Sequence, residues 1–252
     1  MAPAFTDADF DKPVVPLSLG SFDVIAEIKQ RSPAEGKLGT GHHISNGSSY
    51  LSSDLIARAQ AYAAGGAAAI SVLTEPSRFD GELSHLEEVV AAVPGTPVMR
   101  KDFLVEPVQV LEGRKAGASG VLLITTMLSD AKLRAMLDCA LEHNMFVLLE
   151  SFDEEDLRRS AGFLDAGGDL LIGVNTRDLR TLEVDAERLQ RLAPLLPDAK
   201  CVAESGLHVA EDAARAKGWG YSMALVGTAL MRSDDPAALI TAMRDAGSAA
   251  CS

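Results

Sequence analysis

The chain has 252 residues, 47% hydrophobic, 23% charged and only 5% aromatic, and its formal net charge is −13. A field of that sign repels polyphosphate backbones and anionic lipid, and few rings are on hand for base stacking, so nucleic acid and a membrane surface are both disfavoured as partners. No apolar run reaches the roughly 18 residues of a membrane helix, and the acidic start MAPAFTDADFDKPVV lacks the cationic and apolar regions of a signal peptide, so a cytoplasmic protein is expected.

Residues 1–22 read as an irregular lead-in with no convincing amphipathic period. Apolar runs of strand length then follow at DVIAEIK (23–29), AAAISVLT (67–74), PVMRK (97–101), GVLLIT (120–125), FVLLE (146–150), LLIGVN (170–175), KCVAE (200–204) and SMALVG (222–227). Between them lie stretches with helical spacing: SDLIARAQAYAAGG, PVQVLEGRKAGA, SDAKLRAMLDCALEHN, DEEDLRRSAGFLDAGG, DAERLQRLAPLLP and HVAEDAARAKG. Several close on Gly, as helix C-termini commonly do.

Strand–helix alternation repeated eight times at roughly 25–40 residue intervals predicts an α/β chain folded as one (β/α)8 TIM-barrel domain over 23–245. The rival, a doubly wound open sheet, needs a glycine fingerprint after its first strand, and QRSPAEG follows Lys29 instead. The Gly/Ser/Asn-rich stretch 36–54 is long for a βα connection and reads equally as a mobile lid or a surface insertion. His42 and His43 within it lack a Cys, Asp or Glu cluster and read as solvated, so no metal is expected. Cys139, Cys201 and Cys251 show no ligand pattern and read as reduced thiols, two of them packed in a helix and a strand. Trp219 and Tyr221, ahead of the last strand, read as packing residues at the face opposite the chemistry.

Four strands run apolar and then stop on an ionisable side chain: Lys29, Lys101, Glu150 and Glu204. Strand C-termini converge on one face of a barrel, and Glu27, Asn175 and Arg177 join the same set. Together they supply acids and bases at a low-dielectric mouth. Interior ion pairs that merely knit the barrel top are the plain alternative, but burying so many charges without a task costs stability. AESG (203–206) and VGTAL (226–230) put glycines ahead of helical sequence after strands seven and eight, where barrels build phosphate sites, so Gly206, Gly227 and Thr228 are the phosphate-binding candidates.

IAEIKQRSP (25–33), YAAGGAAAISVLTEPSRFDGEL (62–83), PVMRKDFLVEPVQVLEGRKAGASGVLLI (97–124), IGVNTRDLRTLEVD (172–185) and VAESGLHVAEDAARA (202–216) closely resemble the indole-3-glycerol phosphate synthase family. The resemblance runs from about residue 23 to 240 and implies ring closure, decarboxylation and dehydration of 1-(2-carboxyphenylamino)-1-deoxyribulose 5-phosphate in tryptophan biosynthesis, with neither metal nor organic cofactor. By resemblance, Lys101 is the general acid for ring closure, and Glu150 and Lys29, with Glu27 beside them, serve the dehydration. Asn175 and Arg177 match the substrate-orienting pair, Glu204 positions hydroxyls or a lysine, and Ser205 falls among the substrate-binding positions. Lys29, Ser32, Gly206, Gly227 and Thr228 match phosphate-binding positions, while Pro33, Phe79, Phe103 and Leu122 match those lining the aromatic pocket.

The chain departs from the family in places. Ser151 and Phe152 follow Glu150 where a valine or isoleucine and then a histidine are common. The lead-in is shorter than the family's extension, whose helix folds over the barrel mouth, and the 36–54 loop is the expected substitute for that cover. A related barrel acting on another aromatic or sugar phosphate, and a non-catalytic phosphometabolite-binding barrel, are the competing readings. Phosphoribosylanthranilate isomerase and the tryptophan synthase α-subunit share the barrel but lack RKDF together with GxNxRDL. A small phosphorylated substrate and a monomer or weak homodimer are expected.

Overall fold

The computed structural model describes residues 5–32, 36–37, 49–178 and 181–250, except for the side chains at 7, 32, 37 and 49–52. Eight parallel strands close into a barrel: β1 Asp23–Ile28, β2 Ala69–Leu73, β3 Val98–Lys101, β4 Gly120–Ile124, β5 Phe146–Ser151, β6 Leu170–Asn175, β7 Lys200–Glu204 and β8 Met223–Val226. The ring shuts where β1 pairs with β8, Ile25 opposite Leu225. Each strand lies within two residues of the run its sequence predicts.

Both faces of every strand are covered, which is why the strands read as continuous apolar runs rather than alternating ones. Ile25, Met99, Leu148, Val202 and Leu225 point into the barrel. Their neighbours Val24, Ile70, Val121, Leu149 and Val174 point outward beneath the helices. Those helices are α1 Ser49–Ala64, α2 Leu83–Ala92, α3 Pro107–Ala116, α4 Asp130–Glu142, α5 Glu154–Ala161, α6 Arg188–Leu192, α7 Ala210–Gly218 and α8 Pro236–Ala249. Helix α6 is shorter than DAERLQRLAPLLP suggests, because Pro194 falls in the 3-10 turn Ala193–Leu195 that ends it.

The lead-in holds one 3-10 turn, Asp7–Asp9, and crosses the barrel floor rather than its mouth. Lys12 Nζ donates to the Ala116 carbonyl at 3.0 Å and the Val15 amide to Ser119 Oγ at 2.9 Å, both at the turn entering β4. Leu17 and Leu19 pack against the inner cluster. Trp219 and Tyr221 also pack near this end, Tyr221 fully buried with its hydroxyl donating to the Leu189 carbonyl at 3.0 Å. Cys201 is buried in β7 and Cys139 half-buried in α4.

The 36–54 stretch is less of a loop than its composition suggests. Gly36–Lys37 pairs antiparallel with Arg31–Ser32, and α1 already begins at Ser49, since serines fit a first helical turn without apolar periodicity. What lies between, with His42, His43 and any cover they belong to, is outside the described residues, as are Pro33 and Cys251.

Gly120 opens β4 opposite Phe146, where an added Cβ would stand 2.5 Å from the ring that fills the lower barrel. Overpacking a core costs about 1–3 kcal/mol, so Gly120→Ala is expected to lower the unfolding free energy by that amount, seen as a lower urea midpoint at unchanged slope. An unaltered midpoint would show that the floor yields freely.

Candidate active site

Successive inward layers of a barrel are filled from alternate strands. The uppermost layer here is ionic: β1 contributes Glu27, β3 Lys101, β5 Glu150 and β7 Glu204, all lining one cavity at the strand C-termini. Lys101 is the hub. Its Nζ donates to Glu150 Oε2 at 2.9 Å and lies 3.6 Å from Glu204 Oε2, with the three side chains 14%, 2% and 1% exposed. Just past the end of β1, Lys29 Nζ donates to Glu27 Oε1 at 2.7 Å.

Two glycines make room for this layer. A Cβ on Gly173, in β6 between the two acidic strands, would overlap Glu204 Oε1. One on Gly227, after β8, would meet Glu27 Oε1 and stand 2.8 Å from Lys29 Nζ.

Beside the charges, Asn175 Oδ1 accepts from Ser205 Oγ at 2.8 Å and from the Arg177 amide at 2.9 Å. Arg177 Nη1 donates to the Leu182 carbonyl at 2.9 Å. Ser205 and Gly206 are both left-handed, with φ of 66° and 77°, so the chain leaves β7 in a tight curl at the rim. Below Lys101, buried Arg100 ties down the motif: its Nε donates to Thr74 Oγ1 at 3.1 Å and its Nη2 to Asp102 Oδ2 at 3.1 Å.

Crowding moves the ionisations apart. Burial alone would raise the Glu27 pKa, but the Lys29 and Lys101 charges outweigh it and hold Glu27 below the ordinary carboxylate range. Burial also opposes the Lys101 ammonium, and Glu150, Glu204 and Glu27 together overcome it and raise its pKa. Glu204 goes the other way from Glu27: burial first and the Glu150 charge second push it well above a free carboxyl, with Lys101 offsetting only part.

Every site residue expected from sequence and fully described here lines this cavity: Glu27, Lys29, Lys101, Glu150, Asn175 and Glu204; Phe79, Phe103, Leu122, Arg177 and Ser205; Gly206, Gly227 and Thr228. The Ser32 side chain and Pro33 lie outside the described residues. Phe79 and Phe103 stand 6.4 Å apart, tilted by 47°, on the β2–β3 side, with Leu122 near them on β4. The glycines lie across the mouth after β7 and β8. Ser151, where the family pattern is broken, bonds to Ser160 Oγ at 2.9 Å outside the cavity. Sequence reasoning missed Arg78, Asp102, Leu182 and His208. Asp102 sits in RKDF and Arg78 beside Phe79, so proximity to a motif was the available signal; none of them closes a strand.

A family model described as "Indole-3-glycerol phosphate synthase" matches residues 17–243. A protein of that name from Nocardioides sp. is 44% identical over 241 residues, spanning 94% of this chain and 86% of its own length. Another so named, from Mycobacterium leprae, is 43% identical over 225 residues, spanning 89% and 77%. Among solved structures, 3-hexulose-6-phosphate synthase from Salmonella typhimurium superposes with a TM-score of 0.64 at 14% identity, over 90% of this chain and 98% of that one, which speaks to the barrel fold alone. By family model and by relatives alike, this chain belongs to the indole-3-glycerol phosphate synthase family.

Proposed function

We propose that the protein converts 1-(2-carboxyphenylamino)-1-deoxyribulose 5-phosphate to indole-3-glycerol phosphate, releasing carbon dioxide and water. The observation that carries this reading is the gathering of Lys101, Glu150, Glu204, Lys29 and Glu27 in a single cavity between an aromatic wall and two glycine turns. That spacing suits a substrate with an aromatic ring at one end and a phosphate at the other.

The ring packs against Phe79, Phe103 and Leu122, and the phosphate sits at Gly206, Gly227 and Thr228 with Lys29 as its cation. In ring closure the aryl carbon bearing the carboxylate attacks the ketose carbonyl, and Lys101 delivers a proton to the forming alkoxide. A raised pKa keeps that proton available at neutral pH. Loss of carbon dioxide restores the aromatic ring. Dehydration then needs a proton for the departing hydroxyl and a base for the ring proton, supplied by Glu150 and Lys29 with Glu27 as the neighbouring carboxylate.

Asn175 has its Oδ1 engaged by Ser205 and Arg177, which leaves its amide NH2 to donate to the substrate. Arg177 faces the benzoate carboxylate, where a guanidinium fork suits a planar anion. Glu204 lines the same cavity with its Oε2 3.6 Å from Lys101 Nζ, so its carboxyl is placed to hold a substrate hydroxyl or to position that lysine. The protein is read as a cytoplasmic enzyme, a monomer or weak homodimer.

Supplying the ribulose phosphate substrate and following indole absorbance tests the activity. Lys101→Met is predicted to cut kcat by about 10²–10⁴ while the chain still melts cooperatively. Near-parental turnover would remove Lys101 from the chemistry.

A carboxyl held above its unfolded value lets the folded chain keep a proton that the unfolded chain sheds, so it costs stability as pH rises from the free-carboxyl range toward the folded value. Lys101 acts in a separate window: its contribution is complete below the ordinary lysine value and is lost only as pH rises through its raised one. Glutamine at position 204 does not titrate. Glu204→Gln is therefore expected to gain thermal stability relative to the parent as pH is raised from about 4 to about 7. A pH-independent difference between the two would contradict the raised value.

A further inference from the structure

The substrate read above carries a carboxylate and a phosphate, and it must approach a chain whose net charge is −13. Most cations lining the cavity are already engaged. Lys29 is held by Glu27, Lys101 by Glu150, and Arg177 by the Leu182 carbonyl. Arg78 differs: it is exposed on the rim, and its guanidinium has neither a hydrogen-bond nor an ion-pair partner among the described residues.

The turn that carries Arg78 is built firmly. It is the four-residue helix Pro76–Phe79 following β2, begun by Pro76 and capped by the Glu75 carboxylate, which accepts from the Ser77 amide at 2.9 Å and the Arg78 amide at 2.7 Å. Asp80 closes it in a left-handed conformation and pairs with Arg31 at 3.6 Å. Gly81 lets the chain pass the β2 end, where a Cβ would stand 2.5 Å from the Leu73 carbonyl oxygen. The negative charges nearest in sequence are thus occupied by other donors, and the guanidinium beside Phe79 keeps its charge for the mouth.

We infer that Arg78 is the capture cation of this enzyme, drawing the anionic substrate toward the aromatic side of the cavity while taking no part in bond making. This rests on the ketose phosphate reading given above. A cleft walled by low dielectric focuses the field of a rim charge. Salt screens an exposed charge over a Debye length of about 8–10 Å at 0.10–0.15 M, so the contribution depends on ionic strength.

Arg78→Gln, Arg78→Lys and, as a distant control, Arg134→Gln on α4, where the arginine pairs with Asp165, are compared with the parent in steady-state turnover at low and at high salt. Arg78→Gln is expected to lower kcat/KM about tenfold at low salt, to fall within about twofold of the parent near 0.5 M salt, and to keep kcat. Lysine at position 78 restores most of the loss, and Arg134→Gln matches the parent. An unchanged kcat/KM for Arg78→Gln at low salt overturns the inference, and so does a salt-independent fall in kcat, which would put Arg78 at the reacting atoms. A parent chain that forms no indole from the substrate would instead sink the functional reading on which this one stands.

Discussion

The pairing of Lys101 with Glu150 and Glu204 is the constraint around which the upper barrel is organised. Three ionisable groups almost sealed from water carry a desolvation cost of several kcal/mol each, and only close geometry compensates it. A closed eight-stranded ring supplies that geometry because β3, β5 and β7, taken alternately, point side chains into one layer, with Glu27 of β1 completing it. The surrounding residues fit the same constraint: Gly173 vacates the space Glu204 fills, and Gly227 the space between Glu27 and Lys29. The environment also separates two of the three buried acids: two ammoniums hold Glu27 down, while burial and the neighbouring Glu150 carboxylate push Glu204 up.

Beneath that layer the protein is an ordinary apolar core, and its lower end is closed by Phe146, Leu17 and Leu19. The division of labour is familiar in barrels: packing at the N-terminal face holds the cylinder, and loops at the other face carry the chemistry. Left-handed Ser205 and Leu182 line the cavity at the mouth.

Much of this was readable from residues. A strand of apolar residues that stops on Lys101, Glu150 or Glu204 fixes both the element and the direction of its last side chain, so the barrel and its ionic layer emerge together. The aromatic positions came instead from motif resemblance, since Phe79 and Phe103 have no periodicity to reveal them, whereas Gly206 and Gly227 were marked by their place after strands seven and eight. Arg78 escaped because it closes no strand and the resemblance gave it no role, although it lies within the matching stretch 62–83; its meaning depends on which neighbours are already paired, a property of three-dimensional contacts. The same holds for the raised pKa of Glu204, which comes from its burial and from the Glu150 charge beside it. The lead-in 1–22 read as irregular, and that its described part seals the floor follows from single contacts such as Val15 to Ser119. The opening turn of α1 was hidden by a serine-rich composition that suits loops and helix starts equally.

A crystal structure with indole-3-glycerol phosphate bound tests the role of the ion cluster most directly. The phosphate is expected at Gly206 and Gly227, the indole ring against Phe79 and Phe103, and the Lys101 and Glu150 side chains within hydrogen-bond reach of the ligand between them. A ligand bound elsewhere, or one lying in the cavity with Lys101 and Glu150 turned away from it, would contradict the claim that the buried ion cluster is the catalytic centre.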